Sequence, residues 1–339
     1  MHRAAALLLA AGVALAGAGC ATSMPGRSYA GPIYQPAPAE IAIHERLGQH
    51  VRMLASNIGP RNVKHPEALE IAARYIQMRL EKLGYKVTPQ VFVTDGRPVR
   101  NLEAEVRGTT RPHEIIVVGA HYDTHEDTPG ADDNASGVAA LIEVADLLRR
   151  RKLMRTVRFV FFVNEEPPYF QRRAMGSRVY ARLLRSRGEN VVAMLSLETM
   201  GYFVDGKRSQ HYPFPFSLWY PSVGNFLAFV GNRGSRALVE RVVASFRQHA
   251  VLPSEGLAAP GWLPGVGWSD HWAFWQEGYP GVMVTDTAPF RNPNYHKRTD
   301  TPETLDYRRL TAAVLGLVGV ITDLVWRPDL PRQGGAHSP

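Results

Sequence analysis

His121 and Asp123, Asp132 and Asp133, Glu165 and Glu166, and Glu198 are the residues whose types and spacing suit chemistry. Three of these groups directly follow apolar runs: Glu114-Ile-Ile-Val-Val-Gly-Ala, Thr156-Val-Arg-Phe-Val-Phe-Phe-Val and Val191-Val-Ala-Met-Leu-Ser-Leu. The Asp pair lies in the connection after the first run. A lone histidine is more often a satisfied core or surface residue, and an adjacent acidic pair more often a solvated face. Repetition at three run ends reverses that expectation. Gathered carboxylates repel one another unless a cation compensates, and mixed His and carboxylate donors suit zinc or another divalent first-row metal. So many carboxylates point to two ions rather than one. Covalent catalysis has no comparable support. No Gly-x-Ser-x-Gly and no Walker-type phosphate loop occurs, and Cys20, the one cysteine, precedes the fold. The neighbours Ser269, Asp270 and His271 do not make a triad, because triad partners meet through folding.

The elements that must position these groups alternate. Helical patterns span residues 39–56 and 66–83, the second stopped by Gly84. Strands are expected at 86–94, 101–107, 114–120, 156–163, 191–197, 226–230 and 281–285, with helices at 177–187 and 235–250 between them. Asn134 or Ser136 caps the helix that carries Val138, Leu141, Ile142, Ala145 and Leu148. A last helix places Leu310, Val314, Leu317, Val318, Ile321 and Val325 on one face. This pattern predicts one α/β domain, residues 39–327, around a mostly parallel sheet. Ligands of such sheets collect outside the carboxyl ends of the strands, where the acidic groups stand.

At 339 residues, with 45% hydrophobic and 21% charged residues, the chain is neither disordered nor a multi-span membrane protein. The net charge of +8 is scattered and forms no nucleic-acid module, so no nucleic-acid partner is expected. Residues 1–20 read as an export signal. Leu15-Ala-Gly-Ala-Gly-Cys20 resembles a bacterial lipoprotein signal, with conventional cleavage after Ala18 as the alternative. Membrane contact is therefore expected only through a lipid anchor at Cys20, facing the periplasm or cell exterior. Residues 21–38 read as a flexible tether, and 328–339 as a disordered tail.

Gly119-Ala-His-Tyr-Asp-Thr, Pro129-Gly-Ala-Asp-Asp-Asn-Ala-Ser-Gly, Asn164-Glu-Glu, Leu197-Glu-Thr-Met-Gly and Tyr295-His296 resemble, in that order, the motifs of the M28 family of zinc peptidases. The similarity runs from about residue 45 to 325. It implies a twisted mixed sheet of about eight strands flanked by helices, and two Zn2+ ions per chain. It assigns His121, Asp133 and Glu198 to one ion and His296, Asp133 and Glu166 to the other, with Asp133 bridging. Many members carry Asp where Glu198 stands. Glu165 matches the general base, Asp132 matches no ligand, and Asp123 looks like the carboxylate that orients the His121 imidazole. The implied reaction is hydrolysis of a peptide or small amide, most simply by an aminopeptidase. A single-zinc glutaminyl cyclase and a non-catalytic module are the alternatives. Residues 167–174, inserted after the Glu pair, are expected to line the cleft. The aromatic residues of 202–229, together with Trp262, Trp268, Trp272 and Trp275, offer walls for an apolar pocket. His113, His125 and His211 read as solvent-facing, and His271 as no ligand.

Overall fold

A computed structural model describes residues 22–326. Its elements are α1 (Ile41–Arg52), α2 (Pro66–Lys82), β1 (Thr88–Thr94), β2 (Arg97–Val106), β3 (Arg111–His121), α3 (Gly137–Leu148), β4 (Arg155–Phe162), α4 (Gly176–Ser186) and β5 (Asn190–Glu198). They continue with β6 (Leu227–Gly231), α5 (Arg236–His249), β7 (Ser254–Ala258), α6 (His271–Gln276), β8 (Gly281–Thr285), α7 (Ala288–Arg291) and α8 (Tyr307–Trp326). The eight strands form one sheet in the order β1-β2-β4-β3-β5-β8-β6-β7. Four pairings are parallel (β4 with β3, β3 with β5, β5 with β8, β6 with β7), while β1–β2, β2–β4 and β8–β6 are antiparallel. The sheet is mixed, with its parallel centre where the continuous apolar runs lie.

Those runs are buried on both faces, which is why they lack alternation. Ile116, Val118, Phe159, Phe161, Ala193 and Leu195 pack under α1, α3, α5 and α8, whose apolar faces complete the larger core. On the other face Ile115, Val117, Val160, Phe162 and Met194 meet Tyr180, Ala181 and Leu184 of α4 and Phe274 of α6. Further along that face Phe226, Ala228, Val230 and Met283 form a third cluster, packed by loop residues such as Val266. α8 is the one described helix apolar and long enough to cross a membrane, and most of it is buried in the first core.

Three elements, β7, α6 and α7, are not among those the sequence pattern predicts. β7, Ser-Glu-Gly-Leu-Ala, has neither alternation nor β-branched residues and owes its extension to pairing with β6. α6 is a short turn of helix rich in aromatic residues. Asn134, not Ser136, caps α3: its Oδ1 accepts the Gly137 N–H at 3.1 Å. Residues 23–38 of the expected tether carry no regular helix or strand, yet they dock on the domain. Arg247 Nη1 donates to the Pro25 and Gly26 carbonyls at 3.0 Å, and Ser28 Oγ accepts the Ser254 N–H at 2.8 Å. The export signal with Cys20 and the expected tail at 328–339 lie outside the described residues.

Candidate metal centre

Strand register brings the first donors together. β3 pairs β5 with Gly119 opposite Ser196. Two residues on, His121 therefore faces Glu198, and their Nε2 and Oε2 atoms stand 3.2 Å apart. On its other side β3 pairs β4 with His121 opposite Phe162, which sets Glu165 and Glu166 just past the end of β4. Asp133 arrives from the turn at 131–136 that leads into α3. Gly130 makes that turn possible: its φ is +61°, and a Cβ would lie 2.3 Å from the Asp133 carbonyl oxygen. Asp133 Oδ1 is 3.3 Å from His121 Nε2, and Oδ2 is 3.1 Å from His296 Nε2. His296 Nε2 in turn lies 3.3 Å from Glu166 Oε1.

The donors fall into two sets that share Asp133: His121, Asp133 and Glu198, and Asp133, Glu166 and His296, each with its ligand atoms within 4.8 Å of one another. Four buried atoms here, His121 Nε2, Asp133 Oδ1, Glu166 Oε1 and His296 Nε2, have no hydrogen-bond partner among the described residues. Buried polar atoms are nearly always bonded, so four orphans converging on one place fit a divalent cation. Their charges tell the same story. Burial opposes protonation of His121, but Glu198 and Glu165 outweigh it and push its pKa well above the ordinary value. His296, opposed by burial but raised by the adjacent Asp133 and Glu166 carboxylates, rises to about 10. Burial raises Glu166 to about 8, with Asp133 adding to it. Burial likewise pushes Glu165 well up, His121 opposing and Glu198 and Glu166 adding to the rise.

Supporting residues fix these donors, and several were not legible in the sequence. Asp123 accepts from the His121 side only through its backbone: His121 Nδ1 lies 3.2 Å from the Asp123 carbonyl oxygen and 3.7 Å from Oδ1. Its carboxylate instead takes the backbone N–H groups of Glu165 and Glu166. Asp300 accepts the N–H of Asp132 at 2.9 Å and of Asp133 at 3.1 Å. Asp132 ties the turn to Gly201 N at 3.0 Å and Asn292 Nδ2 at 2.8 Å, so it is a buried strut rather than a donor to the cluster. Arg61, fully buried, donates to five carbonyl oxygens, those of Tyr122, Leu54, Gly59, Pro129 and Gly130. Ser269 Oγ donates to Glu198 Oε2 at 2.7 Å, while His271 Nε2 faces the Val266 carbonyl, so the Ser269-Asp270-His271 run makes no triad. His113 and His211 are exposed as expected. His125 is not: its ring stacks on His296 with centroids 4.0 Å apart and planes 6° apart. Nothing in a single loop histidine signals that contact.

A pocket opens beside Glu198 and Tyr295, walled by Tyr212, Phe216, Tyr220, Phe226, Trp268 and Phe290 over a floor of Ala228, Val230 and Met283. Trp262, Trp272 and Trp275 border a separate hollow with Gln171. The inserted loop at 167–174 contributes nothing to the wall beside Glu198. Tyr169 bonds to Asp95 and Gln171 Nε2 to the Gly267 carbonyl at 2.9 Å, which turns the loop toward β1 and the rim.

Residues 101–319 match the family model described as Peptidase family M28, a stretch that contains every residue of the cluster. The chain belongs to peptidase family M28. It is therefore a hydrolase acting on peptide bonds. A relative within reach of whole-chain comparison is the uncharacterized protein YfbL of Escherichia coli (strain K12), 36% identical over 295 residues that cover 84% of this chain and 90% of YfbL. Among solved structures, BSAP, a zinc aminopeptidase from Bacillus subtilis, superposes with a TM-score of 0.65 at 16% identity, over 84% of this chain and 95% of that one. Fimbriiglobus ruber glutaminyl cyclase superposes with a TM-score of 0.61 at 19% identity, over 88% and 99%. At such identities the likeness speaks for the M28 fold alone.

Proposed function

We propose that this M28 peptidase is an aminopeptidase that holds two zinc ions, one between His121, Asp133 and Glu198, the other between Asp133, Glu166 and His296. The observation that carries the reading is the pair of complete donor sets meeting at Asp133, with orphaned buried atoms in both. Zinc bound there supplies a Lewis acid for the scissile carbonyl and lowers the pKa of the attacking water. The chain does the rest. Glu165, just past the end of β4 beside both donor sets, takes the proton of the water and hands it to the leaving amine. Asp123 and Asp300 fix the backbone that carries Glu165, Glu166 and Asp133. The apolar pocket beside Glu198 receives a substrate side chain and excludes water around it.

Metal analysis and a substrate panel test this together. Protein purified without chelator should carry close to two divalent ions per chain and cleave free aminoacyl substrates but not their N-acetylated counterparts. Chelation should abolish activity and lower the melting temperature, since ions that bind only the folded state stabilise it by about 4 kcal/mol at a thousandfold excess over Kd. The cyclase-like fold match supports a second reading, one ion and cyclisation of N-terminal glutamine. One ion per chain with pyroglutamate as product would establish it over the first.

A further inference from the structure

Glu198 and Glu255 both line the apolar pocket. Register sets them in one row. Glu198 lies opposite Thr285 on β8, Thr285 opposite Ala228 on β6, and Ala228 opposite Glu255 on β7. Directly paired residues project from the same face of a sheet, so both carboxylates stand over the pocket with two smaller side chains between them. Three strand spacings separate the ends of the row, about 14 Å.

Several other polar groups of the wall are committed. Gln210 Oε1 accepts from Thr287 and Arg291, and the hydroxyls of Tyr212 and Tyr220 donate to the carbonyls of Pro221 and Gly256. Glu255 differs. Among the described residues no hydrogen bond holds its carboxylate, and its ion pair with Arg247 spans 3.9 Å. Arg247 is itself engaged, donating to the carbonyl oxygens of Met24, Pro25, Gly26 and Ser254. A half-buried carboxylate facing an apolar pocket carries a desolvation cost that a bound cation offsets. The rings of Tyr212 and Tyr220, stacked with centroids 5.5 Å apart, line the same pocket as Glu255. A carboxylate and tyrosine rings lining one pocket both favour a cationic group there.

We propose that the pocket receives the side chain of the substrate's N-terminal residue and that Glu255 selects a cationic one, lysine or arginine. This rests on the aminopeptidase reading above. The methylene stem of either packs against Phe226, Val230 and Met283, and its charged head reaches along the row to Glu255. Leucine or phenylalanine fills the walls near Glu198 but covers the Glu255 charge without pairing it.

The test uses metal-replete full-length protein with lysyl, arginyl, leucyl and phenylalanyl p-nitroanilides, and agmatine as a probe of the pocket. Lysyl and arginyl substrates should show the highest kcat/KM, and agmatine should inhibit competitively. Glu255→Gln should lower the lysyl-to-leucyl ratio of kcat/KM about 30-fold or more and weaken agmatine. Wild-type protein that prefers leucyl substrate, or a ratio unchanged in Glu255→Gln, overturns the assignment and leaves the aminopeptidase reading standing. If Glu255→Gln does not fold, wild-type preference and agmatine inhibition decide alone. If no aminoacyl substrate is cleaved, the aminopeptidase reading falls. Calorimetry with agmatine then judges the pocket, with absence of binding overturning it and binding supporting it.

Discussion

Asp123 accepts the backbone N–H of Glu165 at 3.1 Å through Oδ1, and with Oδ2 it accepts that of Glu166 at the same distance. One carboxylate at the end of β3 thus sets the position of the chain at the end of β4, where the proposed base and a proposed ligand stand side by side. Asp123→Asn keeps the size but offers one acceptor and one donor, so one of the two N–H groups faces an NH2. Metal affinity should fall about 10–100-fold, the range for lost support of a ligand shell. Competition with a chelator measures it. Affinity unchanged with intact activity would remove Asp123 from the machinery.

Glu165 and Glu166 are chemically identical neighbours with different surroundings. Only Glu166 approaches His296, at 3.3 Å. Glu165→Gln should therefore lower kcat by about 10²–10⁴-fold with metal retained. Glu166→Gln should lose metal first and recover part of its activity in excess zinc. Metal content and kcat for both variants separate the roles. Loss of metal in Glu165→Gln but not in Glu166→Gln would reverse the assignment.

Arg61 has no counterpart in the motif pattern, yet its guanidinium links the ends of the first helix, of β3 and of the turn before Asp133. Burial lowers its pKa only to about 10, with Asp300, Asp123 and Asp133 opposing the fall, so it stays charged at neutral pH. Arg61→Ala leaves buried carbonyls unpaired and should cost about 3–5 kcal/mol in denaturant unfolding. Arg61→Lys should recover little, because one ammonium cannot reach five carbonyls. Stability within 1 kcal/mol of wild type in either variant would contradict this role.

Glu143 on α3 takes a forked contact from Arg46 of α1, Nε at 2.9 Å and Nη2 at 2.6 Å, with His50 Nε2 at 3.4 Å. Burial pushes the Glu143 carboxyl up, but His50 and Arg46 more than offset this and hold it below its ordinary value near 4.5. A carboxyl depressed by folding stabilises the protein above its unfolded pKa and loses that contribution as pH falls through the folded value. Glu143→Gln should be less stable than wild type at neutral pH by about 1–3 kcal/mol, the gap closing below about pH 4. Urea midpoints of both proteins between pH 7 and pH 3 measure it. A gap that stays constant with pH would show that the pair is not charged.

Much of the site was written in the sequence because strand ends and ligand types are local. The apolar runs ending at Ala120, Val163 and Leu197 had to become buried strands, and whatever followed them had to emerge at one edge of a parallel sheet. His121, Glu165, Glu166 and Glu198 therefore had to be neighbours. What closes the cluster is not local. His296 follows Glu198 by nearly a hundred residues and meets Asp133 only through a loop pinned by Asp300. Arg61 and Asp300 look like ordinary charges in the sequence, since their partners are backbone groups that no residue pattern encodes. β7 is the plainest case. Its five residues have no strand signature, and pairing with β6 alone extends them, yet that pairing decides which face Glu255 takes and so what the pocket presents to a substrate. Local preference fixes an element when its own burial repays its ordering; at an edge strand or a loop the repayment comes from partners distant in the chain, and only the assembled structure shows them.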